Sequence, residues 1–218
     1  ITTKGNFSIV IKGQPDYTTN VQTDSLKNKR NTVKIEGKFF TRNSIIKNGR
    51  IVLKGRSTGT ELYATTLTLQ HLIEQVQLKY GLNRYIYVAE IDLSKINNGY
   101  LLEEDVYDVY LLLNLHDNID SKLIRIGRPT FRAKLSLREL TVKNSEEATI
   151  INPYYTFKGS NFSFDVYRYP LETYHLLKKT MKWSWLYRLL NFKKDIWLVG
   201  ERTYKAQDTG YAFFKYMR

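Results

Sequence analysis

The sequence predicts a mainly β protein: a β-sandwich over residues 1–169, an amphipathic helical connector over 170–194, and the first βα unit of a further domain over 195–218. Three observations carry that reading. Short runs rich in Val, Ile, Tyr and Thr recur with turn formers about every ten residues, the spacing of an antiparallel sandwich. Seventeen of the 218 residues are Tyr, whose ring covers a half-buried sheet face while its hydroxyl stays in water. From Pro170 onward the apolar period changes from two to three or four.

Taken in order, "NFSIVIK" (6–12) alternates as a strand should, and "GQPDYTTNVQTDSLKNKRN" (13–31) gathers turn formers and charges, which predicts a long loop. "TVKIEGKFF" (32–40) and "IVLKGRS" (51–57) flank Lys47-Asn48-Gly49-Arg50 and read as a hairpin, with Asn48-Gly49 supplying the positive φ angles of a tight turn. "ELYATTLTL" (61–69) and "RYIYVAEIDL" (84–93) are strands separated by a short helix within 70–80. "VYDVYLLLNLH" (106–116) is apolar at nearly every position, the mark of a central strand. "KLIRIGR" (122–128), "TFRAKLSL" (130–137), "ATIINPYYTF" (148–157) and "NFSFDVYRY" (161–169) complete the series.

In the connector, Leu171, Tyr174, Leu177, Met181, Trp185, Leu189 and Phe192 form an apolar stripe. Pro170 stands where a helix start tolerates it, and Lys193-Lys194 stand near the end, where positive charge suits the helix dipole. "DIWLVGER" then reads as a strand that delivers Gly200, Glu201 and Arg202 to a sheet edge. In "AQDTGYAFFKYMR", Asp208 is a candidate N-cap, and the amides of Gly210 and Tyr211 favour an anion such as phosphate. No run of 18 or more apolar residues occurs.

Thirty-four basic residues against 21 acidic give a net charge of +13, which favours nucleic acid, an acidic membrane or a polyanionic polymer as partner. The plain alternative is a solvated basic surface. Cys is absent, which excludes disulfides, thiolate metal sites and Cys nucleophiles. His71, His116 and His175 share no metal-ligand spacing, the pairs Glu103-Glu104 and Glu146-Glu147 fall in turn-like stretches, and there is no P-loop or GxGxxG. No catalytic residue, metal ligand or cofactor site is therefore assigned within the chain.

The densest basic stretch is the connector, where Lys178, Lys179, Lys182, Arg188, Lys193 and Lys194 interleave with Trp183 and Trp185. This composition suits an anionic bilayer or a polyanion. It equally suits a helix that packs between two domains with its charges in water. Elsewhere the basic residues are scattered, as Lys27, Lys29 and Arg30, then Arg125, Arg128, Arg132, Lys134 and Arg138. With no RNP, KH or helix-turn-helix pattern, they argue against nucleic acid.

The order "IWLVGER…AQDTGYAFFKYMR" resembles the segment that opens the catalytic domain of the CDP-glycerol glycerophosphotransferases, the TagF/TagB-like teichoic acid and capsule polymerases. Trp197, Glu201, Arg202, Ala206, Asp208, Gly210, Phe214, Tyr216 and Arg218 match that pattern, and Thr209 replaces its usual Asn. Residues 89–128, "AEIDLSKI…EEDVYDVYLLLNL…KLIRIGR", are similar to the immunoglobulin-like accessory domains of wall teichoic acid glycosyltransferases. The resemblance implies an immunoglobulin-like sandwich followed by the truncated start of a GT-B domain. It implies a parent protein that transfers glycerol phosphate, or another polyol phosphate, from a CDP-activated donor such as CDP-glycerol to a growing polymer at the inner face of the plasma membrane. The catalytic residues of such enzymes would lie beyond residue 218, so the chain is expected to be a piece of a longer protein that opens inside it at Ile1. Glu201, Arg202, Asp208, Thr209 and Gly210 would then form a loop beside the cleft. The implied partners are the anionic polyol-phosphate polymer, an anionic membrane surface and the remaining transferase domains. A stand-alone carbohydrate- or polymer-binding module and a peripheral membrane adaptor are the alternatives.

Overall fold

The computed structural model describes residues 19–42, 44–64, 66–72, 81–116 and 121–190. The strand expected at 6–12, the strand–loop–helix at 195–218 and most of the helix expected within 70–80 lie outside these residues. The described chain is mainly β and falls into two units, one ending at Tyr174 and one starting at His175.

The first unit holds two antiparallel sheets. Strands β1 (Thr19–Lys29), β2 (Thr32–Arg42), β5 (Thr66–Leu72) and β6 (Leu82–Asp92) form a four-stranded sheet in the order β1-β2-β6-β5. The larger sheet runs β4-β3-β7-β11-β10-β9, from β3 (Ile46–Gly55), β4 (Glu61–Tyr63), β7 (Asp105–Leu115), β9 (Leu140–Lys143), β10 (Glu147–Tyr155) and β11 (Phe162–Pro170). Strand β8 (Lys122–Arg125) also pairs with β7. The free edge of β7 is thus shared, with β11 along Asp105–Asp108 and β8 along Tyr110–Leu113.

Period-two alternation directs one face of each sheet inward. Val33, Ile35 and Phe39 of β2 and Tyr85, Tyr87, Ala89 and Ile91 of β6 meet Ile51 and Leu53 of β3 and Tyr107, Val109, Leu111 and Leu113 of β7 in one buried cluster. The Tyr85 hydroxyl accepts a hydrogen bond from the Ile46 amide at 2.9 Å, tying the two sheets across this core. Phe39 stacks on Tyr85 with ring centroids 4.9 Å apart.

Four local expectations are corrected. Residues 19–29 are strand β1, not loop: a bulge between Thr23 and Ser25 switches parity, so that Val21, Thr23 and Leu26 all face the core. Residues 32–57 form no hairpin, because β2 and β3 belong to different sheets and β3, after a bulge between Ile46 and Asn48, continues through Asn48-Gly49 beside β7. Gly49 serves close packing there, since a Cβ would lie 2.9 Å from the Leu112 carbonyl oxygen and 3.1 Å from Leu67 Cδ2. The run 61–69 is two strands, β4 and β5, one in each sheet. Residues 130–137 contain a helical turn, α1 (Phe131–Leu135), because the Thr130 hydroxyl accepts from the Ala133 amide at 3.3 Å as an N-cap.

Strand β11 leads into helix α2 (Leu171–Leu190) as expected from Pro170. Helical geometry also places Leu176, Trp183 and Leu190, seven residues apart, on a second side. Apolar residues therefore occupy two sides of α2, where the sequence suggested one stripe. No helix among the described residues is long and apolar enough to cross a membrane.

Candidate polyanion-contact surfaces

Lys179, Lys182, Trp183, Trp185 and Arg188 are exposed on α2, and Lys178 is half-buried. Lys182 is four residues from Lys178 and three from Lys179, so on the helix surface it neighbours both. Arg188 falls on a different side of the helix. Lys193, Lys194, Glu201, Arg202, Asp208, Thr209 and Gly210 lie outside the described residues.

A second basic surface lies on the outer face of the larger sheet. Alternation along β7 sends Val106, Asp108, Tyr110 and Leu112 outward while Tyr107, Val109 and Leu111 enter the core. Asp108 sits in register between Lys54 of β3 and Ser163 of β11, its side chain only 11% exposed. Arg56 reaches it from the end of β3 as a fork, with Nη2 2.8 Å from Oδ1 and Nε 3.2 Å from Oδ2. From β8, Arg125 donates through Nη2 to Oδ1 at 2.5 Å and to the Ser163 hydroxyl at 3.2 Å. Ser163 in turn donates to Asp108 at 2.8 Å. Two guanidinium groups thus share one carboxylate, and their outer edges carry a surplus positive charge held at fixed positions. Hydrogen bonding to Asp108 raises the already high pKa of Arg56, so its charge is permanent.

Tyrosine faces flank these cations. The Arg125 guanidinium carbon lies 5.8 Å from the Tyr110 ring centroid, and that of Arg50 lies 5.1 Å from the Tyr63 ring. Beside them Asp105 organises the turn after β3. Its carboxylate accepts from the amides of Ser57 at 3.0 Å and Thr58 at 2.9 Å and from the Thr58 hydroxyl at 2.8 Å. Burial pushes the Asp105 pKa up, but those hydrogen bonds outweigh it and hold the carboxyl down to about 2.

The arrangement suits an anion. His71 stacks on Tyr85 at 4.6 Å, His116 follows the end of β7 and His175 lies on α2. Among the described residues no group of three His, Asp or Glu side chains could hold a metal ion. Sequence reasoning placed Arg125 among scattered cations and passed over Arg50, Arg56, Tyr63, Asp108 and Tyr110. One signal was available: Asp108 is the one charge in the largely apolar run 106–115, and a charge in that position requires a partner.

A family model described as TarS beta-glycosyltransferase C-terminal domain 1 matches residues 17–166. No curated protein matches the chain. A crystal structure of residues 217–571 of S. aureus TarS is similar over 74% of this chain, at 17% identity and a TM-score of 0.47. A second S. aureus TarS crystal structure is similar over 71% of the chain, at 17% identity and a TM-score of 0.46. The chain spans 41% and 25% of the lengths of those two structures.

Proposed function

Because the chain belongs to the TarS beta-glycosyltransferase C-terminal domain 1 family, we propose that it is a non-catalytic accessory region of a teichoic acid or capsule transferase, and that it holds the anionic polyol-phosphate polymer. The family match over residues 17–166 carries this reading. The net charge of +13 supports it, because closely spaced phosphates attract Lys and Arg as a nucleic-acid backbone does. The paired arginines on Asp108, set beside tyrosine rings, suit a phosphate followed by a hydroxylated carbon chain. The immunoglobulin-like architecture belongs to the same proposal. So does a following GT-B domain with glycerophosphotransferase activity on CDP-glycerol, which rests on the resemblance of residues 195–218. The test is direct binding. The 218-residue chain should retain poly(glycerol phosphate) with an affinity that falls steeply with salt, and should not turn over CDP-glycerol. Absence of binding at low salt refutes polymer holding, and turnover refutes the non-catalytic assignment.

The exposure of Trp183 and Trp185 beside Lys179 and Lys182 favours a second reading, contact of α2 with an anionic bilayer on the cytoplasmic side. Apolar residues on two sides of the helix weigh against flat insertion, so this contact would be electrostatic. Reversing Lys178, Lys179 and Lys182 to Glu should abolish binding to phosphatidylserine vesicles, and unchanged binding removes this reading.

A further inference from the structure

We propose that the cleft on the outer face of the four-stranded sheet binds one phosphodiester link of a polyol-phosphate chain. The inference rests on the polymer-holding reading and gives it a specific place, separate from the Asp108 surface. The cleft has a volume of about 300 Å³ and is lined by Asn20, Gln22, Lys38, Phe40, Arg84 and Arg128. That volume is at the small end of ligand sites, enough for a short segment and not for a whole sugar nucleotide.

Strand register assembles the lining. Asn20, Phe40 and Arg84 stand opposite one another across β1, β2 and β6, and Gln22, Lys38 and Ile86 form the next row. Their chain neighbours Val21, Phe39 and Tyr85 are buried, so these side chains project outward from the sheet. Three adjacent strands thereby bring one phenyl ring, two amides and two cations within cross-strand reach of each other.

The third cation comes from outside the sheet. The chain after β8 is pinned along the free edge of β1, where Thr23 N–H donates to the Gly127 carbonyl at 3.1 Å and Thr130 N–H to the Thr23 carbonyl at 2.9 Å. Arg128 lies inside this clamp with φ +50, a left-handed conformation that a non-glycine residue adopts at a cost of about 1 kcal/mol. Its amide donates to the Ser160 carbonyl at 3.1 Å, and its Nη1 donates to Asn20 Oδ1 at 2.7 Å. The backbone is thus held in a disfavoured state that leaves a guanidinium over the cleft.

One acid near Lys38, Asp24, is weakly engaged. Asp24 accepts from Gln22 Nε2 at 3.1 Å and lies 3.8 Å from Lys38 Nζ, a pair exposed enough to contribute little and to give way to a phosphate. Guanidinium groups from two directions match the tetrahedral face of a phosphodiester, and their planar forks hold two of its oxygens at once. Phe40 is 42% exposed on a strand whose inward neighbours are fully buried, and its ring offers a flat apolar surface to the CH groups of a polyol. Asn20 and Gln22 supply donors and acceptors for its hydroxyls.

The experiment is titration of the 218-residue chain with a synthetic glycerol phosphate hexamer, followed by calorimetry and by backbone amide NMR. Arg84→Gln and Arg128→Gln should each weaken binding about tenfold, and Phe40→Ala severalfold, with the largest shift changes in β1, β2, β6 and residues 127–130. One phosphodiester neutralised in the cleft predicts a slope of log Kd against log salt of about 0.7, which falls in each charge variant. If Arg128→Gln unfolds at its strained position, Lys38→Gln and Arg84→Gln, which replace outward residues of regular strands, decide the matter. Hexamer binding unaltered in both of those variants overturns the cleft and leaves the polymer-holding reading standing. No hexamer binding by the unmodified chain overturns both. Equal affinity for a thymidylate hexamer, lost through the same variants, overturns the choice of a polyol phosphate over nucleic acid.

Discussion

Tyr87 lies across Gly37, its in-register partner on the neighbouring strand, so closely that the two residues fill one space. A Cβ built on Gly37 would sit 2.7 Å from both Cε1 and Oη of Tyr87, and closer still to the Gln22 carbonyl oxygen. The phenol is buried and makes long contacts of 3.5 Å with the Thr23 hydroxyl and 3.4 Å with the Gln22 carbonyl, so its ring cannot swing away. Gly37→Ala should therefore destabilise the first unit by about 3 kcal/mol, at the upper end of ordinary overpacking. A lowered midpoint in urea at unchanged slope checks this.

Asp108 concentrates on one carboxylate what the outer face of the larger sheet needs from two arginines and a serine. Replacing it with Asn removes the charge while leaving a side chain of similar size. Arg56 and Arg125 are partly exposed and regain water, which limits the loss to about 2 kcal/mol, below that of a wholly buried pair. The coupling is the sharper readout. In a double-mutant cycle, Arg56→Ala and Asp108→Asn should lose less together than the sum of their separate losses, by about 1 kcal/mol. Strict additivity would mean that the two groups do not act as a unit.

Asp105 predicts the acid side of the stability profile. Its folded pKa of about 2 lies below the ordinary value of 3.8, so the folded state favours the charged carboxylate. The associated stability is fully present above pH 4 and is lost as the pH falls from about 4 to 2, a contribution of ~2 kcal/mol. Asp105→Asn should remove it at neutral pH and flatten the profile in that window. Denaturation midpoints measured at pH 2, 3, 4 and 7 for both proteins decide it.

Legibility followed local regularity. Strands β2, β6, β7, β10 and β11 alternate cleanly or run continuously apolar, and the sequence places all five within about two residues of their observed bounds. β1 was hidden because its bulge puts Val21, Thr23 and Leu26 on one face and so breaks the alternation that identifies a strand. Asn48-Gly49 misled because glycine fits both a turn and a crowded contact, and only the proximity of Leu67 and Leu112 separates the two. The cation surfaces were invisible for another reason. Arg56 and Asp108 are 52 residues apart, and Arg128 and Asn20 are 108 apart, so neither pairing has a local spacing. The basic tryptophan-bearing helix was legible because all its residues lie within a few turns of one another.

The end of the first unit gives the last prediction. The sequence breaks at Pro170, but the chain remains part of that unit through the first turn of α2, up to Tyr174. The Leu171 amide donates to the Glu146 carbonyl at 2.8 Å, and Tyr174 is buried with Lys143 Nζ 4.1 Å from its ring centroid. Burial of that ring together with the cation–π contact stabilises by about 2–3 kcal/mol. A fragment ending at residue 174 should therefore melt as the 218-residue chain does in its first unit, whereas one ending at 169 should melt roughly 8 °C lower. Tyr174→Ala in the 218-residue chain should reproduce most of that drop. If the two fragments melt together, the first turn of α2 contributes nothing to the β unit, and the boundary belongs at the proline where the apolar period changes.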